Sequence, residues 1–219
     1  ALATGTTPDD VAASAAEAAA SGHITIKIKI GVGGIDADLD RVAAVRERVG
    51  TGVRIRLDAN GAWSASEALR GLERLSIYSP EFVEEPVAGL EALAVLRSAS
   101  PVPIAVDESA SSPEKVARAV SLGAADLVVL KPSALGGPSA SAEAAARARN
   151  AGLDVVVTSL LEGSVGIRAA AHLASAIGAL DPLPGLATAD LLADDISTPC
   201  RPVGGTLYLG TDGVGPVID

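Results

Sequence analysis

Methionine is absent from this 219-residue chain, and there is one cysteine, one tryptophan, one phenylalanine and two tyrosines. A single Cys200 excludes an internal disulfide framework; it suits a reducing compartment and reads as a small semi-buried residue rather than a nucleophile. With so few aromatics, the large apolar fraction is carried by alanine, valine and leucine, which still supply a full core. No apolar run is long enough to span a bilayer, and no charged start followed by an apolar stretch marks a secretory signal, so the reading is a soluble, cytoplasmic protein without a membrane partner. Positive charge is short as well. The net charge is −10 and no basic face is visible, which argues against nucleic acid as a partner. Lysine is the scarcer base, with four in the chain, at 27, 29, 115 and 131.

What is present is a regular alternation. Apolar, β-branched runs fall at 1–5, 24–30, 53–58, 81–85, 102–107, 126–131, 153–159 and 184–188. Between them lie alanine-rich stretches with helical spacing, several opened by N-cap chemistry: Thr7 before Pro8, Ser64 with Glu67 three residues on, and Ser112 before Pro113. Strand–helix alternation at this pitch predicts parallel strands with helical crossovers. Eight strands predict an α/β fold of the (β/α)8 TIM-barrel type over residues 1–199, followed by a Gly- and Pro-rich tail at 200–219 that looks like a short hairpin. A doubly wound open sheet is the alternative. Closure is favoured because the candidate functional residues fall on consecutive strands, whereas an open sheet gathers them at its switch point.

Three of the four lysines and three acids end strand runs, where a barrel aims side chains at its mouth. Lys27 and Lys29, in ITIKIKI, are two apart and point the same way, while Ile26, Ile28 and Ile30 face the other side. Mutual repulsion and desolvation are expected to lower the pKa of each toward working pH. Asp58, Glu84 and Asp107 each close an apolar run, and one acid from each of three neighbouring strands suits a hard divalent cation such as Mg2+. Any one of them alone would be read as a helix cap. Lys131, before Pro132, would face the other side of a bound substrate; a salt bridge to a neighbouring acid is the competing reading. Glu85 and Glu108, pointing away by alternation, are assigned supporting ion pairs, and Asn60 either reaches the site or shapes the turn after Asp58. His23, His172 and Trp63 read as structural, and the glycines at 31, 33 and 34 lack the full phosphate fingerprint.

The ordered set K-x-K (Lys27, Lys29), D-x-N (Asp58, Asn60), E-E-P (84–86), D-E-S (107–109) and K-P (Lys131, Pro132) resembles the enolase superfamily. Within it, the chain is similar to the muconate-lactonizing subgroup, and RLDANGAW, AVDES, TSLLEGSVG and GLATADLL resemble the o-succinylbenzoate synthases of menaquinone biosynthesis. The resemblance implies a lyase that dehydrates a small-molecule carboxylate to 2-succinylbenzoate. Lys29 would be the base that returns a proton to the leaving hydroxide, Lys131 would hold the enediolate by its charge, and Lys27 would tune Lys29. Mg2+, or Mn2+ in its place, would sit on Asp58, Glu84 and Asp107. Asn60, Ser159, Glu162, Ser164 and Gly166 would meet the substrate.

Two alternatives stand beside this. One is a racemase or epimerase on the same scaffold, N-succinylamino acid racemase in particular. The Asp-x-Asp that dipeptide epimerases carry on the eighth strand is missing from GLATADLL. The other is a barrel fragment that binds metal and turns over little, because family members carry an N-terminal capping domain that this chain lacks and on which the tail would pack. The oligomeric state stays open, with a homo-oligomer compatible.

Overall fold

The structure, a computed structural model, describes residues 1–210; the last part of the predicted tail, 211–219, lies outside the described residues. Among the described residues seven strands form one parallel sheet: β1 (Leu2–Ala3), β2 (Thr25–Lys29), β3 (Arg54–Asp58), β4 (Phe82–Glu84), β5 (Ile104–Val106), β6 (Leu127–Leu130) and β7 (Asp154–Val157). They pair in chain order without a reversal, so there is no switch point and the doubly wound alternative fails. Helices α1 (Pro8–Ala20), α2 (Ile35–Val49), α3 (Ala65–Leu75), α4 (Leu90–Arg97), α5 (Pro113–Leu122), α6 (Pro138–Asn150) and α7 (Ser164–Ala176) make or follow the crossovers. None of the described helices is long and apolar enough to cross a membrane.

Of the eight strands of the expected (β/α)8 barrel, the eighth is only partly formed among the described residues. Segment 184–188 contributes a single parallel bridge, Thr158 to Gly185, in which Ser159 N–H donates to Gly185 O at 3.1 Å and Gly185 N–H to Val157 O at 2.9 Å. Leu183, the next residue back that faces β7 by alternation, turns its carbonyl to a side chain instead, and Pro182 and Pro184 have no N–H to offer on the opposite edge. The sheet nevertheless curls far enough for Arg56 on β3 to donate to Leu183 O at 2.7 Å.

The helix starts follow their local chemistry. Thr7 and Ser64 each form a reciprocal capping box, with Asp10 and Glu67 respectively, and Ser112 accepts from Lys115 N–H. Strand alternation then sorts the side chains into two layers. Ile26, Ile28, Ile55 and Leu57 are fully buried beneath the helices, each worth about 1.5–3 kcal/mol of burial. On the inner face Phe82, Ala105, Leu127, Val129 and Val156 form a separate apolar cluster. The neighbouring wall, from β2 and β3, is charged: register sets Thr25 beside Arg54, Lys27 beside Arg56 and Lys29 beside Asp58.

Candidate active site

The register of β2, β3 and β4 sets Lys29, Asp58 and Glu84 in one row across three adjacent strands, at their C-terminal ends. Asp107 follows β5 and Lys131 follows β6. All three acids are buried, at 1%, 2% and 5% exposure for Asp58, Glu84 and Asp107, so their charge has to be met inside the protein. Lysines meet it. Lys27 Nζ lies 2.7 Å from both Asp58 Oδ2 and Glu84 Oε1, Lys29 Nζ lies 2.7 Å from the same Asp58 oxygen, and Lys131 pairs with Asp107. A cleft of about 360 Å³ opens beside them, lined by Lys27, Lys29, Asp58, Asn60, Glu84 and Lys131, with Ser159, Leu160, Leu161 and Thr188 from the other side.

These pairings reverse one expectation. Burial works to lower the Lys27 ammonium, but the Glu84 and Asp58 carboxylates outweigh it and hold Lys27 well above an ordinary lysine. Its partners diverge. Burial works to raise Asp58, yet Lys27 and Lys29 leave its carboxyl below the usual range. Glu84 is pushed up to about 8 by burial, which the Lys27 ammonium resists and the neighbouring Asp58 and Asp107 carboxylates reinforce.

Among the described residues no three His, Cys, Asp or Glu side chains converge as a ready-made metal cage. Asp58, Glu84 and Asp107 instead present as neighbouring strand ends, each turned to an ammonium. The donor set still fits a hard divalent ion. It offers buried carboxylate oxygens from three adjacent strand ends, the ligand type that such an ion prefers.

Asn60 shapes the turn and lines the cleft. It adopts φ 45° in the turn, its N–H donates to Asp58 Oδ1 at 3.0 Å, its amide oxygen accepts from Lys29 Nζ, and its Nδ2 donates to Glu108 Oε1 at 2.7 Å. Glu108 and Glu85 make no ion pair among the described residues; they are held by hydrogen bonds, because no basic side chain projects from the turns that flank them. Ser159 faces the cleft and shares a hydrogen bond of 2.9 Å with Thr188 Oγ1.

The other three predicted substrate contacts lie elsewhere, outside the cleft lining. Glu162 accepts from Ser133 Oγ and from Leu160 N–H at 3.1 Å, and so braces its own loop. Ser164 is fully buried; its hydroxyl donates to Asp195 Oδ2 at 2.6 Å and accepts from Cys200 N–H at 2.7 Å, which fastens the tail to α7. Gly166 leaves room for Glu162: a Cβ there would stand 2.2 Å from Glu162 Oε2.

Arg56 was not singled out from sequence. Its guanidinium bonds Glu81 Oε2 at 2.6 Å and stacks over the Phe82 ring at 4.9 Å, forming part of the charged wall of the cleft. The signal was available, since alternation along VRIRLD puts Arg54, Arg56 and Asp58 on one face.

Comparison with known proteins agrees with this geometry. The family described as Enolase C-terminal domain-like matches residues 10–219. An o-succinylbenzoate synthase of Thermobifida fusca (strain YX) is 43% identical over 171 residues, 78% of this chain and 53% of the relative. Muconate lactonizing enzyme from Pseudomonas putida superposes with a TM-score of 0.91 at 28% identity, covering 100% of this chain and 62% of that one. A dipeptide epimerase from Cytophaga hutchinsonii, solved with Mg and the dipeptide D-Ala-L-Val, superposes with a TM-score of 0.89 at 28% identity, covering 100% and 60%. The chain thus spans about half the length of the curated relatives it matches.

Proposed function

The chain belongs to the enolase C-terminal domain-like family, and we propose that it carries the catalytic barrel of an o-succinylbenzoate synthase, a lyase that dehydrates 2-succinyl-6-hydroxy-2,4-cyclohexadiene-1-carboxylate through an enediolate. The observation that carries this reading is the pair Lys29 and Lys131, from β2 and the end of β6, on either side of three buried acids. Identity of 43% to a synthase favours this chemistry over others on the same scaffold.

Lys27 is held as a cation by Asp58 and Glu84, so it is not available as a base. Lys29 is the amine left at the cleft, and its side chain is the more exposed of the two, 45% against 27%. Lys29 Nζ takes the proton next to the substrate carboxylate. The C–O bond to the 6-hydroxyl then breaks, and Lys29 gives the same proton to the departing hydroxide, which leaves as water. Lys131, drawn from Asp107 toward the substrate, offsets the charge of the enediolate. Asp58, Glu84 and Asp107 would hold Mg2+, with Mn2+ as a substitute, which supplies Lewis-acid stabilisation of the substrate carboxylate when bound. Asn60 orients Lys29, and Ser159 with Thr188 lines the wall that the succinyl arm would meet. A closed barrel at 1–199, a tail at 200–219 packed on a capping domain from the remainder of a longer protein, and a cytoplasmic setting belong to the same reading.

The test is solvent-deuterium exchange at the acidic carbon of substrate analogues with Mg2+, in the parent chain and in Lys29→Ala and Lys131→Ala. Exchange that disappears in Lys29→Ala alone supports one-base elimination. Exchange with N-succinylamino acids that needs both lysines would favour the racemase reading, which the two-sided lysines and the epimerase likeness keep in play. No exchange in a metal-loaded parent joined to its full-length context would sink the assignment.

A further inference from the structure

We infer that Glu85 is a positioning residue that sets the orientation of Asp107; this rests on the metal-site reading above. Glu85 directly follows Glu84, yet the two carboxylates part company. A left-handed φ of 40° at Glu85 turns its side chain out of the strand's alternation and toward the end of β5. There, at 1% exposure, its carboxylate accepts from the Asp107 backbone N–H at 2.8 Å and from Ser109 Oγ. Asp107 needs such a hold because β5 has already ended at Val106, and Asp107 sits at φ −127°, ψ −83°, outside strand geometry.

The same residue ties in the other acids through its backbone. Glu85 N–H donates to Ala105 O at 2.9 Å, and Glu85 O accepts from Gly61 N–H at 2.6 Å, in the turn that follows Asp58. One residue therefore joins the ends of three strands that present Asp58, Glu84 and Asp107. No lysine, arginine or histidine pairs with the Glu85 carboxylate among the described residues, so its charge is met by these hydrogen bonds alone. A left-handed backbone at a non-glycine residue and a buried acid without a cation are both unfavourable, and they persist where surrounding structure demands them.

Mn2+ binding by the 219-residue chain, followed by the loss of the free-ion paramagnetic resonance signal, tests this without reference to turnover. Glu85→Gly suits the φ and removes the carboxylate, so it is expected to fold and to weaken Mn2+ binding by about 10–100-fold, the usual cost of losing a residue that orients a ligand. Glu85→Gln keeps an oxygen for Asp107 N–H and is expected to stay within about threefold of the parent. Because Glu85 acts through Asp107, adding Glu85→Gly to Asp107→Asn should cost nothing further. Retained affinity in Glu85→Gly, an equal loss in Glu85→Gln, or additive losses in the double variant would overturn the role. Should Glu85→Gly fail to fold, Ser109→Ala removes the second hydrogen bond and must itself weaken binding. A parent chain that binds no Mn2+ removes the metal reading instead, and with it this inference.

Discussion

Glu84 buries a carboxyl between two other acids, and this sets how the site answers to pH. Its folded pKa, about 8, lies above the ordinary 4.5. A raised acid contributes stability that is fully present below pH 4.5 and lost as pH rises through about 8. The chelator-treated chain should therefore lose melting temperature across that window, and Glu84→Gln should flatten the fall; thermal melts of both at several pH values check it, and parallel curves would refute it. The side-chain directions behind this were legible, since the alternation in ITIKIKI and VRIRLD places Lys27, Lys29 and Asp58 on one face. The direction of the Lys27 shift was not. It depends on Asp58 and Glu84 approaching to 2.7 Å, and that distance comes from inter-strand register, which a single sequence does not contain.

Elements show the same division between local and distant causes. The capping box at the start of α3 is a three-residue affair and was readable as Ser64 followed by Glu67. Ser64→Ala removes the bond to Glu67 N–H and should destabilise the chain by about 1 kcal/mol, measurable by urea titration. The eighth strand was legible only as an apolar run, because whether segment 184–188 extends beyond its one bridge to β7 depends on distant partners such as Arg56 on β3. Gly166 on α7 carries a different lesson: the resemblance of TSLLEGSVG implied a substrate contact, and the space beside it holds the Glu162 carboxylate. Gly166→Ala should displace the flexible Glu162 carboxylate and leave stability within about 1 kcal/mol of the parent, because alanine is favoured over glycine in a helix by a similar amount. A loss of several kcal/mol in urea titration would show that Glu162 cannot move aside.

At the scale of the whole molecule, the cleft is open and the Lys29 side chain stays 45% exposed to solvent. Exclusion of water strengthens the electrostatics on which proton abstraction depends. The chain by itself is therefore expected to bind a divalent cation yet turn over poorly, and the remainder of a full-length relative added in trans should raise the rate; steady-state assays with and without that addition decide it. The tail contributes to this scale too. Ser164 anchors Cys200 to α7, and Gly22 packs so closely on Gly204 that a Cβ at 22 would stand 2.5 Å from the Gly204 carbonyl carbon. Gly22→Ala should separate tail from sheet and lower the melting temperature. The sheet order, identical to chain order, has a consequence for a protein made from its N-terminus onward. Lys27 and Lys29 leave the ribosome before Asp58 and Glu84, the acids they neutralise. Each of those two carboxylates thus meets a waiting cation as its strand is added, and only Asp107 must wait for Lys131, one strand later.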